Sequence, residues 1–364
     1  MFFTQIGMGS VPVSGRYRGA PFDRVHFACC FDIRQRHAGD GLPWPADLSN
    51  EWQMLFNSIG FSIVLKDAYI PVRFQGPSRF GECAWIYAGA KGSAVMPVEE
   101  RLVAVDGHVH VYPCHDAGRA LRGLCGALSG AAARAAPGQG APVVVALLAE
   151  RADCCFFRQI GMGRAKADGV AVRALPDPDA FMLETNGDAA LYLVAGRQVV
   201  TAERVEVLSL TRDFMIPDGL PLAEAVQRVR DAGAVPALSW APGKWLLGRG
   251  GMVRRAILEA RPGEMLLCDS SLRPRGWPEP AAMRLARKRG LGIAAGSDPL
   301  PFPGEESIAG VYGFMLRCRF DPGAPAVSIR AAMLEPGAAL TRIGKRCSIH
   351  KVIQRLGRNM AVKR

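Results

Sequence analysis

From residue 102 onward the chain alternates short apolar runs with helical patterns, and this alternation restricts its possible folds more than any other feature. The runs lie at residues 102–105, 143–148, 181–183, 191–194, 205–210, 235–238, 265–267 and 291–294. Apolar residues recur at helical spacing over 118–135, 222–232, 252–260 and 281–289. Short apolar runs separated by helices and Gly/Pro turns read as a parallel sheet with crossover helices. The expected fold is therefore α/β: a distorted β/α barrel of about seven or eight parallel strands, with an open doubly wound sheet as the alternative. One helix shows the logic. Pro221 stands near its start, Leu222, Ala225, Val226 and Val229 share one face, and Gly233 ends it.

The flanks differ from this pattern. Residues 1–97 have weak periodicity and recurrent breakers, as in Gly41-Leu42-Pro43-Trp44-Pro45, with strand-like stretches only at 58–65 and 84–87. They read as an irregular N-terminal extension, residues 98–335 as the barrel, and 336–364 as a basic tail. The net charge is +12, and the tail from Arg342 carries eight Lys/Arg and no acid. Ile349, Val352, Ile353 and Leu356 predict a short amphipathic helix over 348–356, closed by Gly357, with its basic side chains in solvent. The tail offers charge but no aromatic or base-reading group, so neither a membrane nor a specific nucleic acid is expected as partner. No apolar run is long enough to span a bilayer, and the first residues lack a basic leader, so a cytoplasmic protein is expected. Ten cysteines include no Cys-x-x-Cys pair, and the doublets Cys29-Cys30 and Cys154-Cys155 do not suit a zinc finger. They read as core residues or idle thiols. Residues 2–9 (Phe-Phe-Thr-Gln-Ile-Gly-Met-Gly) nearly repeat residues 156–163 (Phe-Phe-Arg-Gln-Ile-Gly-Met-Gly), which is too short to be a fold repeat.

The strongest chemical signal is Asp106-Gly107-His108-Val109-His110, directly after the run 102–105. Residues two apart on a strand point to the same face, so His108 and His110 project together at the strand's C-terminal end. Two converging imidazoles suit a divalent transition metal. Asp298 follows the strand-like run 291–296, where a carboxylate can bind that metal or take a proton from its water. Asp106 is the second candidate catalytic carboxylate. Glu150 and Glu206, with Glu203 beside it, stand at ends of apolar runs as further candidate metal ligands. His115, Lys244, Arg249 and Arg273 lie in loops able to hold an anionic substrate. Dinucleotide and P-loop patterns are absent: Gly248-Arg249-Gly250-Gly251 lacks the Gly-Lys-Ser/Thr ending.

The Asp106–His110 segment resembles the first metal motif of the polymerase-and-histidinol-phosphatase (PHP) family, and that of the wider amidohydrolase group. Three later pieces align in order: Gly196-Arg197-Gln198 with Val205-Glu206-Val207-Leu208, Ala237-Leu238-Ser239-Trp240, and Gly296-Ser297-Asp298-Pro299-Leu300. The resemblance implies a metal-dependent hydrolase with a divalent ion (Zn, Mn or Fe) and a small anionic phosphoester as substrate. A C–N hydrolase, or a degenerate barrel acting as a binding module, are the alternatives. The chain departs from the pattern at Gln198 (Glu expected), near Glu206 (His), at Ser239-Trp240 (His-Pro) and at Leu300 (His). Those departures imply a depleted site with one metal, or two with carboxylate substitutes.

Overall fold

The computed structural model describes residues 100–362 apart from 186–188 and 246–247, together with six short strands in the first 96 residues. The chain divides into two compact units, Met1–Met96 and Pro97–Arg364. In the first, Met8–Val11 pairs with Val25–Ala28, Gly15–Tyr17 with Ala20–Phe22, and Ile70–Pro71 with Trp85–Ile86, all antiparallel. The strand expected over 58–65 lies outside the described residues.

In the second unit the strands are β1 (Glu100–Val109), β2 (Val143–Leu148), β3 (Val170–Ala174), β4 (Ala180–Thr185), β5 (Ala189–Val194), β6 (Gly196–Val200), β7 (Glu206–Leu210), β8 (Val235–Ser239), β9 (Leu266–Ser270), β10 (Ile293–Gly296), β11 (Tyr312–Arg319) and β12 (Thr341–Gly344). The helices are α1 (Ala117–Ala135), α2 (Phe156–Gly161), α3 (Leu222–Asp231), α4 (Gly248–Glu259), α5 (Ala281–Lys288), α6 (Pro325–Leu334) and α7 (Ile349–Val362). A seven-stranded sheet runs β12-β11-β1-β2-β5-β4-β3, and a five-stranded sheet runs β6-β7-β8-β9-β10.

This corrects the closed parallel barrel expected from the apolar runs. Both sheets are mixed and neither is closed; only β1/β2, β2/β5, β8/β9 and β9/β10 pair in parallel. The reason is connection length. Parallel neighbours need a crossover of a dozen or more residues, whereas β3 through β7 follow one another by short turns. Hence β4 pairs antiparallel with β3 and β5, and β7 with β6; β7 also pairs antiparallel with β8, although helix α3 connects those two. All eight apolar runs fall on strands; the error was to give each a helical crossover.

Helix α1 shows how a face is buried. The side chain of Asp116 caps it by accepting from Arg119 N at 2.9 Å. Leu121, Leu124 and Leu128 are fully buried at helical spacing. Each contributes about 1.5–3 kcal/mol relative to an exposed side chain. At the C-terminus, α7 continues through Gly357, past the expected stop. Its packed face also differs from the expected stripe: Val352 and Arg355 are buried, while Ile349 and Ile353 are exposed. None of the described helices is long and apolar enough to cross a membrane. Of the first copy of the duplicated octapeptide, only Met8 and Gly9 lie among the described residues. Met8 and Gly9 belong to a strand, whereas their counterparts Met162 and Gly163 lie in the turn that follows helix α2.

Candidate metal centre

The site forms where the C-terminal ends of β1, β8, β9 and β10 meet. The pairing of β1 with β2 shifts register between Asp106 and Val109, a bulge that falls on the histidine motif. Asp106 anchors the distortion. Its carboxylate accepts from His108 N at 3.1 Å, from Ser297 N and Gly310 N at 2.9 Å each, and from the Ser297 hydroxyl. Burial pushes its carboxyl up to about 6 despite these donors. Through its bonds to His108 N, Ser297 N and Gly310 N, Asp106 organises the backbone around the histidines.

His108 and His110 are buried, with their Nε2 atoms 2.9 Å apart. Asp298 faces both: Oδ1 lies 3.7 Å from His108 Nε2 and 3.6 Å from His110 Nε2. One ligand atom from each of the three lies within 4.8 Å of the others. Gln198 on β6 adds Oε1 at 3.1 Å from His108 Nε2, and Ser239 Oγ lies 3.4 Å from His108 Nδ1. Asp298 is the most constrained member. Its backbone sits at φ 54, a region Asp tolerates better than most residues. Its N donates to His108 O at 2.9 Å, its Oδ2 accepts from Ser270 Oγ at 2.9 Å, and its carbonyl accepts from Arg355 Nη2 at 2.8 Å.

The donor set fits a divalent cation. The carboxylate oxygen is too far from either imidazole for a hydrogen bond, yet all three atoms surround one point. His110 Nδ1 is buried without a hydrogen-bond partner. Burial first, then the charge of His108, lowers the His110 pKa to about 3, so its ring is neutral and can donate a lone pair. Burial alone would raise Asp298, but His108, His110, Arg355 and the Ser270 hydroxyl outweigh it and keep it an anion. Two imidazole nitrogens and a carboxylate suit Zn, Mn or Fe.

The other candidates lie elsewhere or are otherwise engaged. Glu150, at the end of β2, is buried and accepts from Phe157 N at 2.8 Å, holding the start of α2. Glu206 pairs with Lys244 at 3.1 Å, and Glu203 accepts from Leu222 N at 3.0 Å. Neither Glu150 nor Glu206 joins the three-residue group. Arg249 Nη2 donates to Gly243 O at 3.0 Å. Arg273 is buried and bidentate on Asp269, at 2.7 and 2.5 Å. His115 accepts from Tyr112 N at 3.3 Å, so its other nitrogen, 2.9 Å from Leu300 O, is the donor. The sequence reading did not assign Gln198, Ser239, Ser270 or Tyr112 to the site. Gln198 and Ser239 had a signal, since both stand at positions where the family resemblance expects ligands. Ser270 and Tyr112 had none.

Two expected results follow from this packing. A Cβ on Gly296 would collide with the Cβ and backbone N of His108. Gly296→Ala is expected to cost about 1–3 kcal/mol of stability and to reduce bound metal; metal content and denaturant midpoint of the purified variant check it. The second concerns Glu150. Burial raises its carboxyl from 4.5 to about 7. A raised folded-state pKa gives stability that is fully present below 4.5 and lost as pH rises through about 7. Each tenfold change in proton activity between those two values alters the balance by about 1.4 kcal/mol. Relative to Glu150→Gln, the wild type is therefore expected to lose a few kcal/mol between about pH 5 and about pH 8. Denaturant titrations at both pH values check this, and parallel stabilities would refute it.

No protein-family model matches the chain, and no curated protein matches it. Solved structures that show partial likeness include the following two. The crystal structure of PsfC from Pseudomonas syringae PB-5123 is 11% identical, with a TM-score of 0.41, covering 72% of this chain and 99% of that one. That of the lesion-specific endonuclease PfuEndoQ from Pyrococcus furiosus is 12% identical, with a TM-score of 0.38, covering 66% of this chain and 57% of that one. What the site can do therefore follows from its own atoms.

Proposed function

We propose that the protein is a metal-dependent hydrolase acting on a small anionic phosphoester, with His108, His110 and Asp298 as metal ligands. The observation that carries this reading is the convergence of two buried imidazoles and a buried carboxylate on one point. A divalent ion bound there would polarise the scissile bond and lower the pKa of water. The chain's own residues supply the rest. Ser270 fixes the Asp298 carboxylate, Ser239 reaches His108 Nδ1, and Gln198 offers a neutral oxygen beside the ligands. Residues 98–335 are proposed as the hydrolase unit, with the tail 336–364 as its addition. The phosphoester class comes from the PHP resemblance.

The test is metal analysis of the purified chain, followed by hydrolysis of p-nitrophenyl phosphate and bis-p-nitrophenyl phosphate against N-acyl amino acids. Chelator-sensitive phosphoester turnover supports the reading. Turnover of the amides alone would move the site to C–N hydrolysis. A second reading, a metal-holding module without turnover, is favoured by one observation: Asp106 and Glu150, the buried carboxylates flanking the histidine motif and the end of β2, both accept from protein backbone N–H groups. Bound metal with no hydrolysis of either class would select it.

A further inference from the structure

Three basic residues that the sequence offered as anion anchors are held by protein partners: Lys244 by Glu206, Arg249 by the Gly243 carbonyl and Arg273 by Asp269. A different arginine stands one aromatic ring away from His110. Strands β1 and β2 run parallel with Val109 opposite Leu148, and Ala149 N donates to Val109 O at 2.8 Å. Two to three residues further on, the register brings Tyr112 and Arg151 out of the sheet side by side. The Tyr112 ring stacks on His110, with centroids 5.2 Å apart and planes at 20°. The Arg151 guanidinium lies over the Tyr112 ring, 5.8 Å from its centroid. The three side chains form a column from metal ligand to solvent: imidazole, phenol, guanidinium.

The loop carrying Arg151 is held from behind. Buried Arg197 donates through Nη1 to the carbonyls of Arg151 at 3.2 Å and Cys154 at 2.9 Å. The Arg151 side chain is 37% exposed, and its carboxylate partner is Asp153, at 3.0 Å and itself 64% exposed. An exposed pair of this kind holds its partners weakly, so an incoming oxyanion can displace Asp153 from the fork. A guanidinium presents paired N–H donors that match two oxygens of a phosphate. Tyr112 positions the guanidinium through its ring and through a side-chain hydrogen bond with Arg151, which leaves the remaining N–H donors of the fork for an oxyanion.

We propose that Arg151 is the anion anchor of this site, and that it receives a phosphate-class oxyanion of the substrate at the outer end of the His110–Tyr112 column. This deepens the hydrolase reading and rests on it. Arg151 is assigned to binding and touches no metal ligand.

The test is calorimetric titration of inorganic phosphate into the metal-loaded full chain: wild type, Arg151→Ala, Arg151→Lys and Arg151→Gln. The expected result is binding weakened roughly tenfold or more in Arg151→Ala, as for loss of a charged hydrogen-bonding group, with partial recovery in Arg151→Lys. Metal content is expected to match the wild type throughout. Should Arg151→Ala lose metal, Arg151→Gln, which keeps a polar group over Tyr112, decides on the same tenfold criterion. Phosphate binding unchanged in the variants, or absent in the wild type, would overturn the proposal. The two readings fail separately. Metal and phosphate binding without turnover sinks the hydrolase and leaves the anchor standing. Turnover with no Arg151 effect sinks only the anchor.

Discussion

His110→Ala is expected to strip the protein of metal, from about one equivalent per chain to less than about a tenth after dialysis. The size of the effect follows from ligand number. Structural zinc sites with four ligands bind with roughly 10–16 kcal/mol, or about 2.5–4 kcal/mol per ligand. Loss of one ligand therefore weakens affinity by a factor of about 10² to 10³. His110 is the ligand to remove, because its Nδ1 has no partner and its ring makes no hydrogen bond outside the cluster. His108, by contrast, also reaches Gln198 and Ser239. The Tyr112 ring, which stacks on His110, would face the space left behind. Metal content by mass spectrometry, with circular dichroism to verify the fold, checks the prediction. A folded His110→Ala protein that retains a full equivalent of metal would place the ion elsewhere. Asp298→Asn provides the graded comparison: it keeps an oxygen in place but removes the charge, so metal loss is expected to be smaller.

The histidine motif was legible because its logic is local. An i, i+2 pair after an apolar run on a strand shares a face whatever sheet the strand joins, and His108 and His110 do converge. Asp298 was legible through Gly296-Ser297-Asp298 after a strand-like run, and Asp298 N is hydrogen-bonded to His108 O at 2.9 Å. Sheet topology was not legible from the same signal. An apolar run reports that a strand is buried but not the direction of its neighbour, and 181–183 and 191–194 turned out to form one hairpin. Strands β3, β6, β11 and β12 carry weaker apolar signals. Arg173, Arg197, Arg317 and Arg342 interrupt them, and partners from distant segments complete their environment.

Charge proved the least legible property, because a sequence shows that a side chain is basic but not what neutralises it. Lys244 and Arg273 looked available and are paired with Glu206 and Asp269. A concavity near β9 and β10, about 500 Å³, opens beside Gly290, Gly292 and Leu340, and its lining includes none of His108, His110 and Asp298. It lies at the N-terminal ends of these strands, opposite the ends that carry Ser270 and Asp298. The candidate metal ligands gather at the other end of the sheet.

Arg355→Met is expected to destabilise the protein by about 3–5 kcal/mol, the cost typical of breaking a buried ion pair from one side. The tail reading placed this residue among solvated charges, but it sits between Val352 and Leu356 on the packed face of α7 and is only 3% exposed. Its guanidinium grips Glu305, with Nε and Nη2 2.9 and 2.7 Å from Oε2. Nη1 donates to Ser271 Oγ at 3.0 Å and Nη2 to the Asp298 carbonyl at 2.8 Å. Glu305 in turn accepts from Leu300 N at 3.0 Å, so this one pair holds the segment carrying the candidate metal carboxylate, Asp298, on both sides. Methionine fills much of the volume but leaves Glu305 buried without its cation, and the unpaired charge makes up most of the cost. The double variant Arg355→Met with Glu305→Gln removes that charge, so it is expected to recover much of the lost stability while still lacking the donor to Asp298. Stability and metal affinity should therefore separate: the double variant approaches wild type in its denaturant midpoint but binds metal more weakly. Chemical denaturation of the metal-free proteins, paired with metal titration, measures both. If Arg355→Met alone shifts stability by less than about 1 kcal/mol, the pair behaves as an exposed surface contact and the clamp on Asp298 does not exist.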